Sequence, residues 1–262
     1  VSETKVTTYE GSTAPRGRIY DRNGLLLVDN EPTKIIYYKK SNLSSDEEID
    51  LAYKIVEHVE IDDSKLTDRM LRDFWIQKYK EKATAKITEE EYKKLKERKL
   101  QNSQIESYKR DRITEEELNE LEEKDKKVAY LYYLMNKGYS YSEKIIKSKD
   151  VTDLEYAYVA TNSSNLSGFN VRLDWNRIYP YNDTFKSIIG SVSTKMTGLP
   201  SDLKEEYLKK GYTLEDRVGI SYLEYQYDDY LKGKKDVFEK TEVGDVLKEE
   251  GVRGNDLYLT ID

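Results

Sequence analysis

Serine and lysine three residues apart are the first side chains in this sequence with the spacing of a reaction centre. Ser201 with Lys204 and Ser2 with Lys5 have it, Ser163, Ser164 and Asn165 form a Ser-x-Asn triplet, and Lys240 with Thr241 begins a Lys-Thr pair. In one recurring serine acyl-transfer centre these three parts act together: a serine nucleophile at a helix start beside a lysine, a Ser-x-Asn loop, and a Lys-Thr-Gly strand. Here order and chemistry argue against it. Ser201 follows the triplet instead of preceding it, Ser2 lies at a terminus that frays, and Glu242 puts a charged side chain where substrate must approach bare backbone. Matches of three residues arise by chance in a chain this long, so no acylation is expected.

Other chemistries find less. The 262 residues include 51 acidic side chains, but no local pair stands out as a hydrolytic carboxylate dyad. Absence of cysteine excludes disulfides and thiolate metal sites, and the single histidine, His58, sits in an amphipathic stretch where a surface position is expected. No glycine loop suits a phosphate and no acidic loop suits a metal, so no cofactor is expected. A net charge of −7 argues against nucleic acid and anionic lipid, which require surplus Lys and Arg. The 24 tyrosines suit half-buried positions, where a ring packs and a hydroxyl stays wet; a glycan-stacking platform is the sharper alternative.

The elements that position these residues fall into two textures. From about 44 to 148 the chain is highly charged, lacks proline and repeats helix-start signals. Ser45 with Glu48 forms a capping-box pattern, with Leu51, Ala52, Ile55, Val56 and Val59 on one helical face. Leu66, Met70, Phe74 and Trp75 form a second stripe. Ile-Thr-Glu-Glu-Glu occurs at 87–91 and at 113–117, each placing Thr at N-cap and Glu at N3. A further helix is expected from Leu118 through Met135, ending at Gly138. After Val151, Thr152 with Glu155 caps a helix, Phe169, Val171, Leu173 and Trp175 alternate as a strand, Ser201 to Lys210 is a short helix, and Tyr222 to Leu231 is another, stopped by Gly233.

Near the start, Pro15 to Gly24 followed by Leu25 to Val28 predicts a strand, a two-residue Asn-Gly turn and a returning strand. Its order, Arg-Gly-x-Ile-x-Asp-Arg-x-Gly-x-x-Leu, resembles the first signature of the non-catalytic module of class B penicillin-binding proteins. Three later blocks resemble the same family in the same order: Arg177 to Pro180 with Ile188 to Val192, Asp216 to Asp228, and Gly254 to Asp262. Tyr222 stands where many members have Gly before Leu-Glu, as suits the Gram-positive branch. The resemblance marks Arg16, Gly17, Asp21, Arg22, Gly24, Arg177, Gly190, Asp216, Gly219, Glu224 and Tyr227 as a structural, interdomain motif, with Glu224 and Tyr227 buried. Bidentate pairing of Arg16 or Arg22 with Glu224 or Asp216 is expected to join the first hairpin to the helix beyond Gly219.

The expected fold class is α+β: an elongated pedestal with a β-containing base from 1–43 and 151–262, interrupted by a mainly helical head at 44–150. The resemblance implies a scaffold that holds a D,D-transpeptidase near nascent peptidoglycan. The parent would lie on the outer face of a Gram-positive plasma membrane, with an anchor helix upstream of this sequence and the transpeptidase domain after Asp262. Implied partners are that domain, a membrane glycosyltransferase of the shape, elongation, division and sporulation (SEDS) class, division or elongation proteins, and a second copy, since the family calls this region a dimerisation domain. The alternatives are a cell-surface glycan-binding or adhesion module and a carboxylate hydrolase.

Overall fold

The computed structural model describes residues 7–11, 14–140, 142–181, 185–194, 198–214, 216–241 and 244–261. The fold is α+β and divides into two compact units, Val1–Lys34 with Arg172–Asp262, and Ile35–Val171. The chain begins with strands β1 (Thr7–Glu10), β2 (Ile19–Tyr20) and β3 (Leu26–Tyr38). Between β2 and β3 the turn differs from the expected two-residue form. Asp21 N–H donates to Leu25 O at 2.9 Å and Gly24 N–H to Asp21 O at 3.3 Å, which leaves three residues in the loop. The cause is Asp21: its carboxylate accepts the N–H groups of Asn23 and Leu25 at 2.8 and 2.7 Å, and only Gly24, at φ +85°, takes a left-handed conformation.

The second unit is mainly helical: α1 (Ser45–Val56), α2 (Asp68–Lys78), α3 (Lys80–Ala85), α4 (Glu89–Lys96), α5 (Asn102–Asp111), α6 (Glu115–Asn119), α7 (Glu123–Asn136) and α8 (Asp153–Thr161), with β4 (Lys144–Lys147) paired to the end of β3. Capping boxes Thr88/Glu91, Thr114/Glu117 and Thr152/Glu155 open α4, α6 and α8 at the expected positions. The first box is Ser44/Glu47, one residue earlier than expected, because Glu48 turns inward to accept a hydrogen bond from Tyr38 at 3.0 Å. The helix expected from Leu118 is interrupted at Glu122, whose N–H is taken by the Asp125 carboxylate at 3.0 Å, so that α7 starts afresh. His58 is exposed just past α1, stacked on Tyr158 at 3.9 Å.

Apolar faces of α1, α2 and α7 fill one continuous core that includes Ile55, Phe74, Trp75, Val128, Leu131 and Met135. Ile36 and Tyr38 from the end of β3 join it, as does Phe169, the first residue of β5 (Phe169–Ile178). These strand residues explain why the unit runs from 35 to 171, wider than the compositional change near 44 and 150.

The first unit resumes within β5 at Arg172 and continues with α9 (Lys186–Ile189), α10 (Lys204–Lys209), α11 (Tyr222–Gln226), α12 (Asp228–Leu231), β6 (Val237–Thr241), β7 (Gly244–Glu249) and β8 (Leu257–Tyr258). The strands pair as an antiparallel sheet ordered β1-β6-β7, while β2 lies between β3 and β8. Its pairing with β8 is parallel, Ile19 with Leu257 and Tyr20 with Tyr258, which brings the two ends of the sequence into one sheet. Two small apolar clusters support them: Ile19, Leu27, Val28, Ile189 and Leu231, and Leu199, Tyr207, Tyr212 and Val218. In β5, Trp175 is buried but Leu173 is exposed, so the expected alternation is incomplete.

Candidate functional site

Two small apolar clusters leave the interior of the first unit to charge. Arg16, 2% exposed, enters from the segment before β2 and meets Glu224 on α11 and Asp228 at the start of α12, 0% and 1% exposed. Its Nε and Nη2 donate to Glu224 Oε2 at 3.0 and 2.8 Å, and Nη1 donates to Asp228 Oδ1 at 2.8 Å. Arg177 on β5 donates from Nε to Glu224 Oε1 at 2.8 Å and from Nη1 to Asn30 Oδ1 at 3.1 Å, and Asn30 Nδ2 donates to Arg16 O at 2.7 Å. Two guanidinium groups thus face two carboxylates in a sealed site.

Backbone is tied into the same network. Asp228 Oδ1 accepts the Gly219 N–H at 2.7 Å, Asp228 Oδ2 accepts the Tyr212 hydroxyl, and Tyr207 donates to Gly219 O at 2.6 Å. Burial alone would lower the Arg16 pKa, but the charges and hydrogen bonds of Glu224 and Asp228 outweigh it and the pKa is raised. For Arg177 burial wins, helped by repulsion from Arg16, and the pKa is lowered. Burial, with the Glu224 charge nearby, pushes the Tyr179 hydroxyl up to about 12. Removing one member of such a buried set typically costs about 3–5 kcal/mol, because the remaining charge is stranded.

Two glycines make this close approach sterically feasible. A Cβ on Gly219 would lie 1.9 Å from Glu224 O, and one on Gly190, at φ +87°, would lie 2.0 Å from Ser221 O. Gly17 lies against the Asn255 backbone.

The remaining expected residues lie elsewhere. Arg22 is joined to Thr260 O at 2.9 Å and does not meet Glu224 or Asp216. Asp216 pairs with Lys235 at 2.6 Å and accepts the Thr213 N–H at 2.7 Å. Asp21 and Gly24 shape the first turn. Tyr227, expected inside, is 37% exposed because the helix breaks there into α11 and α12; among the described residues of this unit, Tyr207 and Tyr212 are the buried tyrosines. The pairing expectation missed Asp228 and Asn30. Asp228 had a signal, since it follows Glu224 by four residues, one helical turn away on the same face. Asn30, in the middle of β3, had none.

Ser201 and Lys204 are both exposed, with Ser201 in the turn before α10 and no hydrogen bond between them. Asn165 lies in a turn, its N–H donating to Asn162 O at 2.9 Å. Ser2, Lys5 and Glu242 lie outside the described residues. Among the described residues no helix is long and apolar enough to cross a membrane.

The sequence matches the family described as Penicillin-binding Protein dimerisation domain over residues 11–113 and 100–259. Penicillin-binding protein 2A of Bacillus subtilis is 37% identical over 258 residues, covering 96% of this chain and 36% of the relative. Penicillin-binding protein 2B of Streptococcus pneumoniae is 34% identical over 276 residues, covering 100% of this chain and 39% of the relative. A solved structure of penicillin-binding protein 2B from Streptococcus pneumoniae strain R6 superposes with a TM-score of 0.70 at 30% identity, over 96% of this chain and 40% of that one. The chain therefore spans well under half the length of these relatives.

Proposed function

Because this chain belongs to the penicillin-binding protein dimerisation domain family, we propose that it is a non-catalytic scaffold that positions a D,D-transpeptidase for peptidoglycan cross-linking in cell-wall synthesis. Its setting in this reading is the outer face of a Gram-positive plasma membrane. The β-containing unit acts as the base and the helical unit as the head, with Arg16, Arg177 and Glu224 as the structural motif of the base. Its partners are the transpeptidase domain of the parent chain, a SEDS-class membrane glycosyltransferase, and division or elongation proteins; pairing of two copies is a further expectation.

The observation that carries this reading is the sealed network of Arg16, Arg177, Glu224 and Asp228. Its charges pair with one another and hold neighbouring backbone and side chains, with only Arg177 Nη2 among the network's guanidinium nitrogens buried without a partner, which suits holding segments in register. Exposure of Ser201 and Lys204 supports the same side, since an acyl-transfer serine needs a sheltered base and aligned donors.

The test is capture from the membrane. Displayed on the outer face of a Gram-positive host through a foreign anchor helix, the chain is expected to crosslink to a SEDS-class glycosyltransferase and to remain unlabelled by fluorescent penicillin. Covalent labelling at Ser201 or Ser2 would overturn the non-catalytic reading. Failure to crosslink above the level of the bare anchor would overturn the scaffold reading.

A further inference from the structure

Most cations of the helical unit are answered by a carboxylate, as Lys78 is by Asp125 and Lys86 by Glu117, both at 2.7 Å. The turn that ends α4 is different. Residues 93–99 hold five cations, Lys93, Lys94, Lys96, Arg98 and Lys99, against one carboxylate, Glu97, in a chain whose net charge is −7. Lys94 is paired with Glu90 and Lys99 with Glu97, but Lys93, Lys96 and Arg98 have no carboxylate within ion-pair distance among the described residues. All five cations are exposed.

The backbone of this turn is strained at one of them. Arg98 sits at φ +57°, where the Lys99 and Leu100 N–H groups close back onto Lys94 O at 2.8 and 3.3 Å. Glycine is the usual residue there, because a side chain in the left-handed region costs stability. Cations within α4 offset the partial charge of the helix end, which accounts for Lys93, Lys94 and Lys96 without a ligand. Arg98 lies beyond the helix and gains no ion pair for its strain, the kind of outlier that marks a function.

What the turn can hold follows from its size and surroundings. Salt screens its charge beyond about 8 Å, so a flat anionic surface would also meet the acidic remainder of the chain, whereas a slender polymer meets the turn alone. The ring in this stretch, Tyr92, is half-buried and offers no open face for stacking a base. Four of the five cations are lysines, point charges that suit phosphate, while carboxylate recognition favours the arginine fork. We propose that the turn at 93–99 binds a flexible, linear phosphate polymer without bases, with Lys93, Lys96 and Arg98 as its contacts. The site does not depend on the scaffold reading and would survive its failure.

The experiment is a calorimetric titration of the whole chain with linear inorganic polyphosphate at fixed ionic strength, with poly-L-glutamate, an oligothymidylate and anionic phospholipid vesicles as parallel arms. The expected result is saturable binding that weakens as salt is added, is about fivefold weaker in Lys96→Gln, and is unchanged in Lys65→Gln, an exposed lysine elsewhere in the unit. Arg98→Gly is the sharper variant. It is expected to weaken binding by about the same factor while raising the urea midpoint read by Trp75, because charge and strain leave together. Equal weakening in Lys96→Gln and Lys65→Gln, or none in Arg98→Gly, would overturn the site. Tighter binding of any parallel arm than of polyphosphate would overturn the choice of polymer.

Discussion

The two units bury their interiors with different materials. In the helical unit the core is one continuous apolar cluster, and its ion pairs lie mostly at the rim, as with Arg112 and Glu91 at 2.6 Å. In the β-containing unit the apolar clusters are small, and the centre is occupied by Arg16, Arg177, Glu224 and Asp228. Dispersion and apolar burial tolerate small shifts, because many weak contacts share the energy. A buried ion network does not, because each hydrogen bond has a fixed partner and a lost one strands a charge. The helical unit is therefore built to accept sequence change, and the β-containing unit to hold one geometry.

The contrast can be broken in several ways. Its largest consequence is Glu224→Ala, which leaves both Arg16 and Arg177 without their shared carboxylate and is expected to cost about 3–5 kcal/mol. The chain has two tryptophans, Trp175 in the affected unit and Trp75 in the other, so fluorescence in single-tryptophan backgrounds reports each during urea unfolding. The Trp175 transition should move and the Trp75 transition should stay; equal movement would mean that the units do not differ as described. Next comes Leu131→Ala in the helical core, expected to cost about 3 kcal/mol, with the Trp75 transition moving instead.

A smaller effect runs the other way. Tyr222 holds φ +47°, a left-handed conformation that costs a side chain about 1–2 kcal/mol. Tyr222→Gly is expected to stabilise the β-containing unit by about 1 kcal/mol, measured as a raised urea midpoint at unchanged slope. The mildest comparison is acid. Burial alone would raise Asp125, but hydrogen bonds from Lys78, Tyr53 and the Glu122 N–H hold it below its usual value, and Glu155 is lowered in the same way by Lys147 and the N–H groups of Thr152 and Glu60. Glu91 beside Arg112 is lowered to about 2. Carboxylates with lowered folded values stabilise above the unfolded values of 3.8 and 4.5 and lose that contribution as pH falls through the folded ones. The Trp75 transition should therefore weaken progressively below pH 4.5, and a midpoint constant down to pH 2 would refute the assignment.

The same contrast explains what could be read from the residues alone. Capping boxes at Thr88, Thr114 and Thr152 were legible because both partners lie within three residues. Ser44 was displaced to Ser45 because two serines and two glutamates follow each other, and only Tyr38, outside the segment, decides which glutamate turns inward. The break before α7 was hidden because Glu122 and Asp125 look like any charged helix face. In the β-containing unit the partnership of Arg16 and Glu224 was legible only as one of several options. Sequence offers no ruler across such a gap, so Arg22 and Asp216 were equally eligible and Asn30 was invisible.

The parallel pairing of β2 with β8 has a temporal consequence. Arg18 N–H and its Asp256 partner are 238 positions apart, whereas the helical unit is a single uninterrupted stretch of sequence. Loop closure over such a span is entropically unfavourable until the intervening chain has compacted. During synthesis from the amino terminus the 35–171 segment emerges whole and can fold first, which shortens the effective loop that Ile19 must close to reach Leu257. Until β8 arrives, the early hairpin lacks this neighbour and presents an open edge. A folding helper acting on the nascent protein would have its work there.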